Sequence, residues 1–406
     1  MKTLLTIAWR NIWRHPARSG VLIAAVVAGL WAGVVTVGVL NGMMDQRLNN
    51  LIESELTHIQ VHHPEFLDEG YSRLFIEKVD EIAAFLKQDE RVKAFTKRTI
   101  TDGMLQSPVK TSGVRIRGID SESETRTTNF HTNMMEGEYL DSSIPNAVII
   151  GRTMANEHNM ELGHRVVLTF EDVSNQLTSS AFNIVGIFES AGTDFDRRNV
   201  FVRSSDISSI LYDKAVFHEI AIMLHDEPFA QSLAADINQN FSGITAQTWR
   251  ELSPELNLIV EFGEVMLYLI MLIIMAALAF GILNTMLMAL FERMREIGML
   301  ISIGMSRTRV FLMIMLEAIV LTLTGAAAGI LLAIFSIRYL SSAGVNLERF
   351  AAGIAELGWD HMIYPIMSTP EYVTVVIMVI VITLLASLYP AAKAIRINPL
   401  EAAKDS

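Results

Sequence analysis

Long apolar runs recur four times along the chain and predict four membrane-spanning helices. A helix needs about 20 consecutive apolar residues to cross the hydrocarbon core of a bilayer. Runs of that length predict spans TM1 to TM4 at residues 20–44, 261–291, 310–337 and 372–390. The third run contains a single acid, Glu317.

Residues 45–260 show a different pattern, in which short alternating runs and short helical periods follow one another. The alternating runs predict strands at Thr57–His62, Ser112–Ile119, Ala147–Ile150, Arg165–Phe170, Phe182–Phe188, Val200–Val202 and Glu219–Leu224. Helical spacing predicts helices at Glu77–Gln88, Met154–Glu157, Ser205–Leu211 and Ala230–Asn240. This mixture predicts an α+β domain with two lobes, inserted between TM1 and TM2.

Both ends of this domain continue the helices of the membrane. After TM1, apolar residues keep a helical spacing through Leu48 and Leu51, and before TM2 Pro254 stands at a first helical position behind Ser253. A helix from Pro254 to about residue 294 would be on the order of 60 Å long, about twice the hydrocarbon thickness. We therefore expect stalk helices at both ends of the domain, either to transmit motion or as stiff spacers.

Basic residues orient the spans, because lysine and arginine accumulate on the cytoplasmic side. Arginines precede TM1 without any acid, and four more lie in the turn at residues 292–309. Both termini and this turn are therefore predicted to be cytoplasmic, with residues 45–260 and the 338–371 loop outside. The predicted fold class is membrane α-helical, with four transmembrane helices, plus an α+β extracytoplasmic domain between TM1 and TM2.

The two termini flank this core differently. Residues 1–19 place Trp9 and Trp13 on one side of a helical pattern and basic residues on another, which predicts an amphipathic helix in the inner headgroup layer. The uncharged run that follows is longer than a signal-peptide core, so we interpret it as an uncleaved anchor. Residues 391–406 form a cytoplasmic tail.

Composition removes several classes of function. The chain is 51% hydrophobic and has no cysteine, which excludes disulfides and thiolate chemistry. Residues 45–260 hold 19 Lys and Arg against 33 Asp and Glu. A domain with this negative charge would be repelled by nucleic acid, so we expect no nucleic-acid partner.

Candidate catalytic and metal-binding residues are few. On a strand, His58 and His62 would stand about 13 Å apart, too far to ligate one ion, so we predict no metal site. The chain has no phosphate-binding loop, zinc-protease motif or nucleophile elbow, which predicts a non-catalytic protein without a cofactor of its own. Glu317, inside TM3, is expected either to pair with a neighbouring basic residue or to take a direct part in coupling.

Small residues predict close helix packing. Gly29 and Gly33 in TM1, and Gly325 and Gly329 in TM3, have the spacing that lets helix backbones approach each other. The partner helix can belong to this chain or to a second copy.

The turn at 292–309 carries the most informative pattern, E-R-M-R-E-I-G-M-L-I-S-I-G-M-S-R-T-R. Charged residues flank an apolar helical stripe of Met294, Ile297, Leu300 and Ile301. Gly298 and Gly304 would permit close contact. This pattern fits docking into a groove of a soluble partner better than it fits a plain linker.

These residues carry a resemblance. The E-R-x-R-E-I-G-x-L-x-x-I-G-x-S pattern, followed by L-E-A-I-V-L and G-A-A-A-G, resembles the coupling segment and third span of the FtsX-like permease family, which includes the MacB and LolC/LolE membrane subunits of ABC transporters. The closing Y-P-A-A-K-A-I-R-I-N-P-L-E-A-A-K and the opening A-W-R-N-I-W-R-H-P-A-R-S are similar to the family's ends. The resemblance covers essentially the whole chain.

The family implies partners that the residues alone do not show. It implies two permeases, a second copy or a paralogue, bound in the bacterial inner membrane to a cytoplasmic ABC ATPase dimer that holds ATP and Mg. The implied ATPase-coupling residues are Glu292, Arg293, Arg295, Glu296, Gly298, Gly304 and Ser306. ATP hydrolysis would thus belong to a separate subunit.

The segments T-W-R-E-L-S-P-E-L and H-I-Q-V-H-H-P-E-F look like the LolC/LolE branch, which implies lipoprotein release from the membrane to a periplasmic carrier. Membrane lipid chains would then occupy a substrate cavity lined by Val39, Leu40, Met43, Phe262, Met266 and Leu269. Where LolC has a proline-containing hook, Glu171–Ser180 is short and has no proline, so carrier docking stays open. The alternatives are a MacB-type mechanotransmission permease for toxins or peptides and a non-transporting regulator of a cell-wall hydrolase.

Overall fold

The structure, a computed structural model, describes residues 16–69, 72–140, 144–190, 193–212, 215–347 and 362–395. The chain divides into two compact units. Within the described residues, the membrane unit comprises 16–46, 260–347 and 362–395, and the outer domain comprises 47–259. Residues 1–15 of the predicted amphipathic helix, most of the tail and the middle of the 338–371 loop lie outside the described residues.

The four predicted membrane helices are present. They are TM1 (Pro16–Leu51), TM2 (Pro254–Glu292), TM3 (Arg307–Ala343) and TM4 (Thr369–Ala394). Each is longer than its predicted span, because hydropathy marks only the part of a helix suited to lipid whereas the helix continues to its end signals. TM4, for example, begins at a capping box in which Ser368 and Glu371 satisfy each other's backbone N–H groups.

Two short elements complete the membrane unit. A helix at Met294–Ser302 joins TM2 to TM3. Two-residue strands at Val345–Asn346 and Met362–Ile363 pair between TM3 and TM4.

The predicted glycine pairs pack TM1 against two other helices of this chain. A Cβ on Gly29 would lie 2.9 Å from Leu278 of TM2, and one on Gly33 would lie 3.1 Å from Ile274. On TM3, a Cβ on Gly325 would lie 2.9 Å from Val26, and one on Gly329 would lie 3.2 Å from the backbone of Val27 in TM1. The partner helices therefore belong to the same chain, which answers the question that the spacing left open.

The outer domain alternates strands with short helices. Its strands are β1 (Ile59–His62), β2 (Val92–Gln106), β3 (Thr111–Ile119), β4 (Met134–Gly137), β5 (Ala147–Gly151), β6 (Arg165–Glu171), β7 (Leu177–Phe188), β8 (Asn199–Arg203), β9 (Glu219–Leu224) and β10 (Thr245–Thr248). Its α-helices are α1 (Phe66–Glu69), α2 (Val79–Gln88), α3 (Ser121–Thr127), α4 (Arg152–Glu157), α5 (Thr193–Arg198), α6 (Ser204–Leu211), α7 (Ala230–Asn240) and α8 (Trp249–Leu252). A π-helical turn, Ile52–Leu56, follows TM1.

One sheet runs through the domain, and β2 is shared by two cores. The first half of β2 pairs with β9, and its second half pairs with β3 and β6. One core lies beside β1 and β9 and contains Ile82 of α2 and Leu233 of α7. The other lies around β5 to β8 and contains Phe170 and Phe182. The long strand thus joins the two lobes that the sequence predicted.

The predicted strands and helices of the outer domain are present, and β9 and α7 have the predicted bounds. The first strand begins later than predicted, at Ile59, because Thr57 ends the π-helical turn with φ 56° and donates its backbone N–H to Ile52. Sequence patterns missed β2, β4 and β10, together with α1, α3, α5 and α8.

Candidate functional site

The turn between TM2 and TM3 folds as a short helix and a tight reversal. After TM2 ends at Glu292, the 294–302 helix forms, and TM3 begins at Arg307. Gly304 has φ +102°, a backbone conformation that side chains with a Cβ rarely adopt. A Cβ there would meet nothing within 4 Å, so this glycine serves the reversal rather than the close contact expected from the sequence.

The apolar stripe of this helix does not face outward as predicted. Ile297 is buried in the core of the membrane unit, and Ile301 packs against the same core. The apolar side chains left exposed are instead Met299, at 59%, and Ile303, at 85%. The stripe is divided because the membrane unit itself covers its inner side, and Met299 and Ile303 form what we call the exposed tip.

Arg293 ties the start of this helix to TM3. Its Nε donates to Glu296 at 3.1 Å, and its Nη1 lies 3.1 Å from both carboxylate oxygens of Glu317. The exposed side-chain fractions are 14% for Arg293 and 12% for Glu317. Glu317 therefore makes the ion pair that was one of the two expectations for it.

The Arg293–Glu317 pair borders a small cavity of about 30 Å³ between TM1, TM2 and TM3. Ser19, Thr285 and Leu321 also line it. This volume holds a water molecule. The ion pair therefore has room for one water molecule beside it.

The other coupling residues implied by the resemblance occupy two environments. Glu292, Arg295, Gly304 and Ser306 are exposed. Gly298 is buried on the inner side of the helix and accepts a hydrogen bond from the Ser302 hydroxyl. The exposed set and the tip present one surface, whereas Arg293, Glu296 and Gly298 face the membrane unit.

The six predicted cavity residues lie on TM1 and TM2. Phe262, Met266 and Leu269 of TM2 are at least half exposed, and Val39, Leu40 and Met43 of TM1 are partly buried. None of the six lines the two grooves that the structure shows beside TM1 and TM2. The prediction chose the wrong faces of the two helices, because TM1 and TM2 direct other residues toward the grooves.

The first of these grooves, of about 440 Å³, lies along the Gly29 and Gly33 face of TM1 and the Gly281 face of TM2. The second, of about 270 Å³, contains a polar pair in which the Asn41 amide donates to Glu371 at 2.7 Å. An amide within an apolar span was the sequence signal for this groove, and it was missed.

The outer domain contains a buried charge network that sequence reasoning also missed. Arg98 of β2 contacts Glu124 of α3 and Glu219 of β9, and Glu219 lies 3.1 Å from His62. All four side chains are at most 3% exposed. Burial alone would raise the pKa of Glu219, but the charges of Arg98 and Arg117 and the hydrogen bond with His62 together outweigh it and hold the pKa well below its usual range.

A second pair of buried acids lies where the π-helical turn meets α5. Burial raises the pKa of Glu55 to about 7, and burial raises the pKa of Asp196 to about 6. Asp196 accepts the backbone N–H of Ser190 at 3.0 Å. Glu55 Oε1 is buried and makes no hydrogen bond within the described residues. Both acids therefore keep their proton to a higher pH than an exposed carboxyl group would.

The histidines of the outer domain serve packing and hydrogen bonding. His58 Nδ1 accepts the backbone N–H of Leu224, and His62 stacks on Phe66. Burial lowers the pKa of His218 to about 4. Among the described residues, no group of three His, Cys, Asp or Glu side chains could hold a metal ion.

Comparison with known families bears on both units. Residues 19–240 match the MacB-like periplasmic core domain, and residues 268–399 match the FtsX-like permease C-terminal domain. The chain belongs to the FtsX-like permease family. The second match contains the turn at 292–309 with its exposed tip, and the first contains most of the outer domain.

Individual relatives of this FtsX-like permease are distant. It is 23% identical over 405 residues to the lipoprotein-releasing system transmembrane protein LolC of Neisseria meningitidis, with 94% of this chain and 92% of that protein covered. It is 22% identical over 436 residues to the uncharacterized ABC transporter permease YvrN of Bacillus subtilis, covering 98% of each. The periplasmic region of MacB from Actinobacillus actinomycetemcomitans covers 52% of this chain and 98% of its own, with 13% identity and a TM-score of 0.37.

Membership confirms the predicted family and fold class. The chain is a membrane-spanning ABC transporter permease with an extracytoplasmic MacB-like domain between TM1 and TM2. Permeases of this family are membrane subunits that work with cytoplasmic ATPases.

Proposed function

We propose that the chain is a permease subunit that releases lipoproteins from a bacterial inner membrane. The name of the LolC relative, which aligns over nearly the whole chain, supports this substrate class. Both termini and the 292–309 turn would lie in the cytoplasm. Lipid chains of the cargo would enter beside Val39, Leu40, Met43, Phe262, Met266 and Leu269 and the grooves next to them.

In this proposal, the exposed tip is the surface that contacts the ATPase. A separate cytoplasmic ABC ATPase dimer would bind ATP and Mg and seat Met299 and Ile303 in a groove, because two exposed apolar side chains beside charged neighbours suit docking better than solvent. Arg293 would pass movement of the 294–302 helix to Glu317 in TM3. TM1 and TM2 are continuous helices up to Leu51 and from Pro254, which makes them stiff connections to the outer domain.

A specific observation favours the MacB-type alternative. Glu171–Ser180 has no extended hook, since β6 and β7 pair down to Glu171 and Leu177. The reversal between them is closed by the Asp172 N–H bond to Gln176 and by Asn175 at φ 58°. A chain without a hook would pair with a hook-bearing paralogue for lipoprotein release, or would act on toxins or peptides without a carrier.

The test of coupling replaces the exposed tip with Met299→Glu/Ile303→Glu. Both side chains are solvent-exposed, so we expect normal insertion but loss of ATPase co-purification. The matched control is Met104→Glu/Val109→Glu, which changes two apolar residues of the outer domain that are more than half exposed. Retained ATPase binding in the tip variant would reject this docking surface.

The test of substrate class is depletion of the protein in its native cell. We expect mature lipoproteins to accumulate in the inner membrane after depletion. The wild type and the Met104→Glu/Val109→Glu control should restore lipoprotein release, and the tip variant should not. Normal lipoprotein release after depletion would reject the lipoprotein assignment and leave the MacB-type function.

A further inference from the structure

Within the part of the chain that the structure describes, one edge of the first half of β2 has no strand partner. Arg98 accepts a backbone hydrogen bond from His218, at the start of β9, whereas Ser107 donates toward Lys110, at the start of β3. Because successive residues of a strand direct their peptide groups to opposite edges, β9 and β3 lie on opposite edges of β2. The pairing with β3 extends only from Gln106 back to Thr99. Among the described residues, no strand pairs with Phe95 or Lys97 on the β3 side.

A groove of about 570 Å³ runs beside this open edge. Six consecutive residues of β2, Val92–Lys97, form one side of it, and Ser123 and Arg126 of α3 form another. The Thr96 hydroxyl lies 3.0 Å from that of Ser123, which fixes α3 next to the strand. Phe217 also lines the groove, so the space beside the peptide edge is partly apolar.

The groove is basic in an acidic domain. Its lining contains four cations and one acid, namely Lys87, Lys93, Lys97, Arg126 and Asp120. Lys97 pairs at 2.8 Å with Asp80, whose side chain is 97% exposed. Lys87 and Lys93 make no ion pair with a described residue. The domain as a whole carries an excess of acids, so this clustering of cations marks one surface.

We propose that this groove binds an extended acidic segment of a partner protein, which adds to the open edge of β2 as a further strand. The free N–H and C=O groups of Phe95 and Lys97 would pair with the backbone of the segment, as in other complexes formed by strand addition. Lys87 and Lys93 would select acidic side chains on the segment, and Lys97 and Arg126 would join them by leaving their exposed partners Asp80 and Glu122. A lipid headgroup would use the cations but not the alternating peptide groups.

The same charges explain why the edge does not pair with itself. Two copies of Val92–Lys97 side by side would bring Lys93 and Lys97 near their own counterparts, and like charges on adjacent strands repel. The edge is thus closed to a second copy and open to a strand of opposite charge.

The experiment uses the full-length protein in a zwitterionic detergent and a fluorescent peptide of about ten residues that alternates valine and glutamate. We expect this peptide to bind, and a peptide with lysine in place of glutamate to fail. Lys93→Glu/Lys97→Glu should weaken binding by about tenfold or more, which corresponds to about 1.4 kcal/mol. The matched control, Lys110→Glu/Arg165→Glu, reverses two cations elsewhere on the outer domain and should bind as the wild type.

Two further measurements separate strand addition from plain charge attraction. Methylation of alternate peptide nitrogens in the acidic peptide leaves its charge intact but removes its strand hydrogen bonds, and should abolish binding. Asp80→Asn frees Lys97 and should strengthen binding without disturbing the fold. Equal binding of the methylated peptide, no gain with Asp80→Asn, or competition by anionic lipid vesicles at equal charge would each overturn the proposal.

Discussion

Two arginines of this chain make the same contacts in different surroundings. Arg98, in the outer domain, and Arg293, in the membrane unit, each contact two carboxylates. Around Arg98, the arginine and both acids are at most 3% exposed. In the second group, the exposed side-chain fractions are 14% for Arg293, 12% for Glu317 and 45% for Glu296, and a water-sized cavity lies beside the Arg293–Glu317 pair.

The difference in burial suits the two arginine–carboxylate groups to different roles, a structural one for Arg98 and a movable contact for Arg293. A fully buried charge that loses its partner has no water to replace it, so the Arg98 network holds α3 and β9 against β2 permanently. The Arg293 pair is more exposed than the Arg98 network and lies beside a cavity with room for water, so opening it would cost less. The Arg293 pair is therefore suited to a movable contact between the 294–302 helix and TM3.

In the membrane unit, close packing at glycine residues holds the helices together. A Cβ on Gly42 would lie 2.3 Å from the carbonyl oxygen of Tyr364, which forces TM1 against the segment before TM4. A Cβ on Gly329 would lie 3.2 Å from the backbone of Val27 in TM1. The membrane unit is thus held together by close packing of its helices.

The largest effect on stability should come from Arg98→Met. The substitution leaves Glu124 and Glu219 buried without their cation, and we expect the free energy of unfolding to fall by about 3–5 kcal/mol. Chemical denaturation of the full-length protein in detergent measures it. The triple variant Arg98→Met/Glu124→Leu/Glu219→Leu removes the whole network and should recover much of the loss. A single Arg98→Met variant as stable as the wild type would break the comparison.

A smaller, pH-dependent effect should come from Glu55→Gln. Because the folded pKa of Glu55 is raised to about 7, the folded state keeps a proton that the unfolded chain releases near pH 4.5. The stability from this proton is present below pH 4.5 and is lost as pH rises through 7. Glutamine imitates the neutral acid, so the variant should equal the wild type at pH 5 and exceed it by roughly 1–2 kcal/mol at pH 8. Parallel stability curves of the two proteins from pH 5 to pH 8 would contradict this.

The smallest effect on stability should come from Glu317→Gln. Arg293 keeps its pair with Glu296, and the new amide is neutral and still accepts a hydrogen bond, so we expect a loss of about 1 kcal/mol in the free energy of unfolding. ATPase binding should also persist, since the exposed tip is unchanged, while cargo transport per ATP hydrolysed should fall severalfold. Glu227→Gln, which changes the partly exposed pair of Glu227 with Arg250 in the outer domain, serves as the control. Normal transport by the Glu317→Gln variant would show that the Arg293–Glu317 pair has no part in coupling.

Much of the candidate site followed from the sequence, and its orientation did not. The glycine pairs, the reversal at 292–309 and the acid in TM3 were all found from local spacing. The outward face of the 294–302 helix was wrongly predicted, because an amphipathic pattern shows that a helix has an apolar side but not which neighbour covers it. Here the membrane unit covers Ile297 and leaves Met299 and Ile303 exposed.

The sequence by itself determined the four spans, the inserted α+β domain and elements such as β9 and α7, because hydrophobic periodicity within a short window is enough to define them. Only the tertiary structure decided the course of β2. Its buried positions include Thr96, Arg98 and Thr99, which read as an exposed segment until partners are known. The acid that Arg98 contacts on β9 is 121 residues away along the chain, and no local pattern can encode a partner at that distance.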